Sequence, residues 1–132
     1  MELRNILTPP KNIAVIGLSD KPDRPSYSVA NYLISQGFNI IPVNPTLKEV
    51  LGQKSYPSLS AIPKDIKIDI VDIFRNSEAV PAIVQEVIDL GIKPFIWMQE
   101  GVVSQEAKEK AELFGLNVSM NLCIKKEHQK LD

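Results

Sequence analysis

Residues 12–33 read NIAVIGLSDKPDRPSYSVANYL, and this stretch decides the fold. The apolar run from Ile13 to Ile16 predicts a buried strand, Gly17 ends it, and a polar loop leads into a helix that begins at Ser26. In α/β proteins, a strand-loop-helix turn presents backbone amides and the positive end of a helix dipole to an anion. The stretch therefore predicts an α/β fold with an anion site after its first strand.

The loop departs from the GxGxxG pattern of dinucleotide-binding proteins. Only Gly17 is present, and Ser19 and Pro22 stand where the pattern has its second and third glycines. Such proteins also end their second strand with an acidic residue that binds the ribose hydroxyls, whereas this chain has Asn44 there. An NAD(P) ligand is therefore disfavoured, although it is kept as a third interpretation.

The loop between the first strand and the first helix carries its own groups for an anion. The Lys21 and Arg24 side chains can reach a phosphate from the side, and Ser26 and Ser28 can donate near the helix start. Asp20 and Asp23 offset the positive charge of the loop, so a solvated surface loop without a ligand is the alternative interpretation.

Composition limits the class of protein. A chain of 132 residues with 44% apolar residues is typical of one globular domain, predicted here over residues 1–132. A net charge of −1 argues against a nucleic-acid or anionic membrane surface. The chain has no apolar run of membrane-spanning length and no signal-peptide pattern, which predicts a cytoplasmic protein. With Cys123 and His128 as the single residues of their types, a zinc site is not expected.

Apolar runs alternate with amphipathic segments, which predicts a doubly wound, Rossmann-like domain around a five-stranded parallel sheet. The predicted strands are 13–17, 38–43, 68–74, 94–98 and 116–120, and the predicted helices are 26–36, 77–90 with Pro81 in the first turn, and 104–114 capped by Ser104. Four prolines and Gly52 between residues 44 and 67 leave room only for short helical turns. We expect the strand order 3-2-1-4-5, with a ligand crevice beside the first and fourth strands.

Polar residues follow the predicted strands at their carboxyl ends. Ser19, Asn44, Arg75 and Gln99 each follow a different strand, and parallel strands bring these ends to one edge of the sheet. Each residue taken alone has a structural explanation, because strand ends leave the core. Their coincidence at one edge favours a binding site.

Several motifs together resemble the stand-alone CoA-binding domain proteins, which are small bacterial and archaeal Rossmann-like domains similar to the CoA-binding part of succinyl-CoA synthetase α subunits. The motifs are AVIGLSDKPDRPSYSVANYL, GFNIIPVNP, GQKSYPSLSAIP, DIVDIFR, WMQEGVVSQEA and the final GLNV, Cys123 and EH. The resemblance covers nearly the whole chain. It implies a small protein that binds coenzyme A (CoA) or an acyl-CoA in a non-catalytic or regulatory role, the alternative being an enzyme or enzyme partner in acyl-CoA metabolism.

The resemblance also implies which residues contact the ligand. They are Gly17, Leu18, Ser19, Arg24, Ser26, Tyr27, Ser28, Val43, Asn44, Pro45, Phe74, Arg75, Met98, Gln99 and Glu100. The family often has an Asp-Arg pair before its terminal cysteine. This chain has Asn121 and Leu122 instead, so a charge contact is expected to be absent.

Three remaining residues have both a functional and a structural interpretation. Cys123 is a candidate nucleophile, but a buried structural cysteine is favoured. His128 lies in the charged segment KKEHQK, which favours an exposed residue in the last helical turn over a catalytic base. Trp97 could stack on adenine, but core packing is favoured. The chain therefore carries no convincing catalytic group.

Overall fold

A five-stranded, all-parallel sheet forms the centre of the structure, a computed structural model that describes residues 3–131. Its strands are β1 (Asn12–Ile16), β2 (Asn39–Val43), β5 (Ile70–Ile73), β6 (Phe95–Met98) and β7 (Val118–Ser119). The α/β class, the Rossmann-like arrangement and the number and direction of the strands are confirmed. The domain predicted over 1–132 includes positions 1, 2 and 132, which lie outside the described residues.

The predicted strand order was wrong. The sheet runs β2-β1-β5-β6-β7, which in the numbering of the five predicted strands is 2-1-3-4-5 rather than 3-2-1-4-5. The order therefore reverses between the first and third strands, and the crevice lies there rather than beside the first and fourth. Pro42 gives a physical reason, because a proline cannot donate to a neighbouring strand and is confined to sheet edges. In the observed order β2 is the edge strand, and Pro42 O accepts from Tyr56 N on its outer side.

Helices cover both faces of the sheet. They are α1 (Leu3–Ile6), α2 (Pro25–Ser35), α3 (Val80–Leu90), α4 (Gln105–Leu113) and α5 (Ile124–Gln129). Pro81 lies in the first turn of α3 and Ser104 caps α4 by accepting from Ala107 N, as predicted. Ser26 does not cap α2 as expected: the cap is Arg24, and the Ser26 hydroxyl oxygen instead accepts from Ser19 N.

The crossover between β2 and β5 contains more structure than the short helical turns predicted for it. A two-stranded antiparallel hairpin forms from β3 (Glu49–Val50) and β4 (Gln53–Lys54), followed by a 3₁₀ turn at Leu59–Ala61. The hairpin turn uses positive φ at Leu51 and Gly52. Its two-residue strands are too short to produce an alternating sequence pattern.

Two residues with alternative interpretations, one on α5 and one on β6, pack inward. His128 is partly buried on α5, and its Nδ1 lies 2.6 Å from Tyr32 Oη, so its prediction as an exposed residue was wrong. Trp97 is fully buried and its Nε1 donates to Leu122 O at 2.8 Å, which confirms core packing and excludes stacking on a ligand.

Within residues 3–131, no helix is long and apolar enough to cross a membrane.

Candidate functional site

Gly17 is fixed at the carboxyl end of β1 by the strands on both sides. Its amide donates to Val43 O at 2.9 Å, and its φ of +86° lies in the left-handed region. A Cβ at this position would lie 2.3 Å from Phe74 O. Glycine is therefore required here both for its backbone conformation and for the close approach of β5.

The loop after Gly17 is tied to α2 and β2 by side chains. Ser19 N donates to Ser26 Oγ at 3.0 Å, and Lys21 N donates to Ser19 Oγ at 3.1 Å. Asn44 Nδ2 donates to Leu18 O at 3.0 Å. These bonds fix the loop at the edge of the sheet. The loop is longer than the tight glycine turn of a dinucleotide site.

A cavity of about 650 Å³ lies between this loop, the ends of β5 and β6, and the start of α5. Its lining residues are Gly17, Ser19, Arg24, Pro25, Ser26, Val29, Phe74, Arg75, Asn76, Gln99, Glu100, Val102 and Cys123. Eight of the predicted site residues are therefore brought together around this first cavity. Its volume is typical of small-molecule sites, which measure roughly 300–1,000 Å³.

The first cavity has uncompensated positive charge. Arg24 and Arg75 are both exposed at its wall, and neither guanidinium group forms an ion pair or hydrogen bond with any residue in 3–131. The one carboxylate in the lining, Glu100, is held 3.0 Å from Lys126 Nζ, and this contact raises the pKa of Lys126. The arrangement is suited to an anionic ligand with at least one phosphate.

Two buried polar side chains direct unused donors to the same cavity. Ser26 is 5% exposed and Gln99 is 3% exposed. Ser26 Oγ accepts from Ser19 N, and Gln99 Oε1 accepts from Ile124 N at 3.0 Å. Within the described part of the chain, neither the Ser26 hydroxyl hydrogen nor the Gln99 amide nitrogen has a partner to which it donates. Both are therefore available to a ligand in the cavity.

A second cavity of about 360 Å³ adjoins the first on the other face of the sheet. It is lined by Ile16, Gly17, Val43, Asn44, Pro45, Pro57, Ser58, Arg75, Ile83 and Glu86. Gly17 and Arg75 line both cavities, so Arg75 stands at their junction. The two cavities lie at the carboxyl ends of β1 and β5, between which the strand order reverses. Open α/β sheets bind ligands at such a topological switch point.

Asn44 lines the second cavity, but its carboxamide is already engaged. Nδ2 donates to Leu18 O, while Oδ1 accepts from Thr46 N at 2.9 Å and from Thr46 Oγ1 at 2.8 Å. Its role in this structure is to hold the loop after β1 against the end of β2.

Four predicted site residues line neither cavity. Leu18 and Met98 are fully buried in the core, and Tyr27 and Ser28 lie on α2 outside both linings. Alternation along a strand and helical periodicity explain this, because neighbouring positions point in different directions.

The sequence interpretation missed part of the first cavity, above all Cys123. This residue is buried as predicted, yet it also lines the cavity. The available signal was its position just after the fifth strand, which the sheet places near the other strand ends. The departures before it have structural roles: Asn121 Oδ1 accepts from Gly101 N, and Leu122 O accepts from Trp97 Nε1.

Asp72 is a buried carboxyl group in the middle of the sheet. It is fully buried, and neither oxygen has a hydrogen-bond partner within residues 3–131. Burial raises the pKa of Asp72 well above the ordinary value. In the strand register it lies between Val15 and Trp97. The residues two positions after Val15, Asp72 and Trp97 are Gly17, Phe74 and Gln99, and all three line the first cavity. Asp72 therefore lies one layer beneath the cavity floor.

The described residues contain no group of three His, Cys, Asp or Glu side chains that could hold a metal ion. The polar groups at the sheet edge are instead the two guanidinium groups of Arg24 and Arg75 and the side chains of Ser26 and Gln99, beside apolar walls.

Comparison with known proteins agrees with this geometry. The model of the CoA binding domain family matches residues 11–129. The chain is 45% identical over 127 residues to the uncharacterized protein YneT of Bacillus subtilis (strain 168), covering 96% of this chain and 92% of YneT. A solved structure of a hypothetical protein from Pyrococcus horikoshii OT3 has a TM-score of 0.90 and 40% identity, covering 98% of this chain and 89% of that one.

A much longer relative shares the same domain. The chain is 33% identical over 113 residues to the ADP-forming acetate-CoA ligase II of Archaeoglobus fulgidus, covering 84% of this chain but only 16% of the ligase. The family match over most of the chain, together with these similarities, shows that this protein belongs to the CoA binding domain family.

Proposed function

We propose that this protein binds coenzyme A or an acyl-CoA along the carboxyl edge of its sheet and acts as a non-catalytic binding or regulatory protein. The observation that carries the proposal is the pair of joined cavities with two unpaired guanidinium groups, Arg24 and Arg75, at their walls. CoA is a long ligand with three phosphate groups, which suits two adjoining cavities with positive charge at their wall and at their junction. Membership of the CoA binding domain family supports the same ligand.

The binding groups divide into charged and neutral ones. Arg24 and Arg75 attract the phosphates, and a guanidinium can hold two phosphate oxygens at once. Ser26 and Gln99 are mostly buried residues that offer neutral donors to the cavity, which favours a ligand with matching acceptors. The eleven-residue helix α2 begins beside the cavity and adds its dipole.

NAD(P) fits the site less well. A dinucleotide site uses a carboxylate after the second strand to bind the ribose hydroxyls. Here the residue is Asn44, and its carboxamide is engaged by Leu18 and Thr46. We therefore favour CoA over NAD(P) as the ligand.

A second candidate function is that of an enzyme or enzyme partner in acyl-CoA metabolism. The similarity to ADP-forming acetate-CoA ligases favours it. The chain spans only 16% of the length of the Archaeoglobus fulgidus ligase, so most of that protein has no counterpart in the matched region. The non-catalytic proposal is preferred because the candidate nucleophile and base are apart: Cys123 lines the first cavity, whereas His128 lies against Tyr32.

Replacing Arg24 with alanine tests the proposal by removing the side chain that we expect to contact one phosphate of CoA. We propose that Arg24 contacts the 3′-phosphate of CoA, the group that dephospho-CoA lacks. The wild type should then bind CoA more tightly than dephospho-CoA by about tenfold, as expected for one charge-assisted contact of about 1.5 kcal/mol. The Arg24→Ala variant should bind both equally, as measured by calorimetric titration with NADP as a third ligand.

Lys21→Ala is the matched control, because it removes the same charge from the same loop at a residue that lines neither cavity. It should keep the wild-type preference for CoA. An equal loss of both CoA ligands in Arg24→Ala would remove the assignment of the 3′-phosphate, and preferential binding of NADP by the wild type would overturn the proposed ligand.

A further inference from the structure

Cys123 is held rigidly at the wall of the first cavity by the residues around it. Leu122 N donates to Met98 O at 3.2 Å on one side, and Ile124 N donates to Gln99 Oε1 at 3.0 Å on the other. The Cys123 residue is 9% exposed and its exposed part faces the cavity, where it is a lining residue. The residue is thus mostly shielded from bulk solvent, while part of it lines the cavity.

A second observation at this wall indicates a ligand independently of the cysteine. Gln99 is 97% buried, lines the same cavity, and has its oxygen occupied by Ile124 N. Its amide nitrogen donates to no residue in the described range 3–131. Because Gln99 lines the cavity, this nitrogen is available to donate a hydrogen bond to a ligand there. The wall beside Cys123 is therefore built to receive a polar, uncharged acceptor.

The two ends of the first cavity differ in chemistry. The loop end has Ser19 and the cation Arg24, and the α5 end has Gln99 and Cys123. A CoA molecule has the same polarity, with phosphates at the nucleotide end and a neutral arm, containing two amide groups, that ends in a thiol. When the phosphates lie beside Arg24 and the amide groups of the arm lie beside Gln99, the sulfur of the ligand lies toward Cys123.

We propose that Cys123 is a covalent attachment site for CoA, formed by exchange with a disulfide of CoA. The proposal rests on the proposed function, since it needs the nucleotide to occupy the cavity. The Cys123 thiol gives its proton to solvent, and the resulting thiolate attacks one sulfur of CoA disulfide. A bond forms between Cys123 Sγ and that sulfur while the original sulfur–sulfur bond breaks. The departing CoA thiolate takes up a proton, so Cys123 is oxidised and one CoA is reduced.

Gln99 acts in this step as a positioning residue. Its free amide nitrogen donates to a carbonyl of the ligand's arm and thereby aligns the ligand disulfide with Cys123 Sγ. A reaction held in place in this way becomes effectively intramolecular, which raises its rate over that of an unheld disulfide. The protein would then retain CoA in a form that a reductant releases.

Intact-protein mass spectrometry over time tests the proposal, because the chain has a single cysteine and any adduct is at Cys123. The wild type is mixed with CoA disulfide or, at equal concentration, with oxidised glutathione. We expect one CoA to be added per chain roughly 100-fold faster than one glutathione, as expected for a held reactant. Adenosine 3′,5′-bisphosphate should slow the CoA reaction alone, and a reductant should reverse it.

Equal rates for the two disulfides, or no CoA adduct, would overturn the proposal. Gln99→Glu keeps an acceptor for Ile124 N but removes the free donor, so it should lower the ratio of the CoA rate to the glutathione rate. Lys21→Ala should leave both rates at their wild-type values. Calorimetric titration of the reduced wild type with CoA separates the two proposals: binding without an adduct overturns only the covalent step, and no binding overturns the proposed function as well.

Discussion

Replacing Gly17 with alanine is expected to lower the free energy of unfolding by about 2–5 kcal/mol, the sum of a left-handed backbone cost and an overpacking cost. The added Cβ would lie 2.3 Å from Phe74 O and 3.1 Å from Arg75 Cδ, so β5 must move away from β1. Because Gly17 and Arg75 line both cavities, CoA binding should weaken in the same variant. Denaturant unfolding and CoA titration measure the two effects.

Gly52→Ala is the matched control for this prediction. Gly52 also has a positive φ, +75°, but nothing lies within 4 Å of an added Cβ. It should therefore lose only the backbone cost of about 1–2 kcal/mol and keep wild-type CoA binding. Equal losses in the two variants would show that the contact between Gly17 and β5 is unimportant.

Replacing Asp72 with asparagine is expected to change the pH dependence of stability. Burial raises the pKa of Asp72 in the folded protein, so the folded state holds a proton that the unfolded state releases above a pKa of about 3.9. Stability contributed by this group is therefore complete at low pH and falls as the pH rises toward the raised pKa. Within that window the free energy of unfolding falls with a limiting slope of about 1.4 kcal/mol per pH unit.

Asp72→Asn cannot ionise and should lose this component of the pH slope. The measurement is the free energy of unfolding in denaturant at a series of pH values from about 4 upward, because the unfolded carboxyl group ionises with a pKa of about 3.9. Asp65→Asn, which makes the same change at an exposed position, serves as the control and should keep the wild-type slope. Parallel profiles for wild type and Asp72→Asn would contradict the account of a neutral, unpartnered carboxyl.

The sequence predicted the strands and helices well because their signals are local. The run before Gly17 and the helix closed by Gly91 each carry their pattern within a few residues. The strand order depends on which strands lie side by side, and the local patterns do not record this. Pro42 was the available clue, since a proline inside a strand indicates an edge.

The same distinction between local sequence patterns and tertiary packing explains which residues of the candidate site could be predicted. Ser19, Arg75 and Gln99 follow strands directly, so parallel geometry alone brings them to one edge. Cys123 reaches the cavity only through hydrogen bonds that hold the segment before α5 against β6. Asp72 looked like an ordinary polar residue in a strand, because its isolation depends on packing from both neighbouring strands and the helices above them.

The central claim is that CoA binds at the carboxyl edge of the sheet, and backbone amide chemical shifts during a CoA titration test it most directly. The account predicts saturable shifts at Gly17, Ser19, Arg75 and Glu100, with Lys93 at the opposite edge unchanged. Shifts concentrated near Lys93, or no saturable shift in the folded protein, would contradict it.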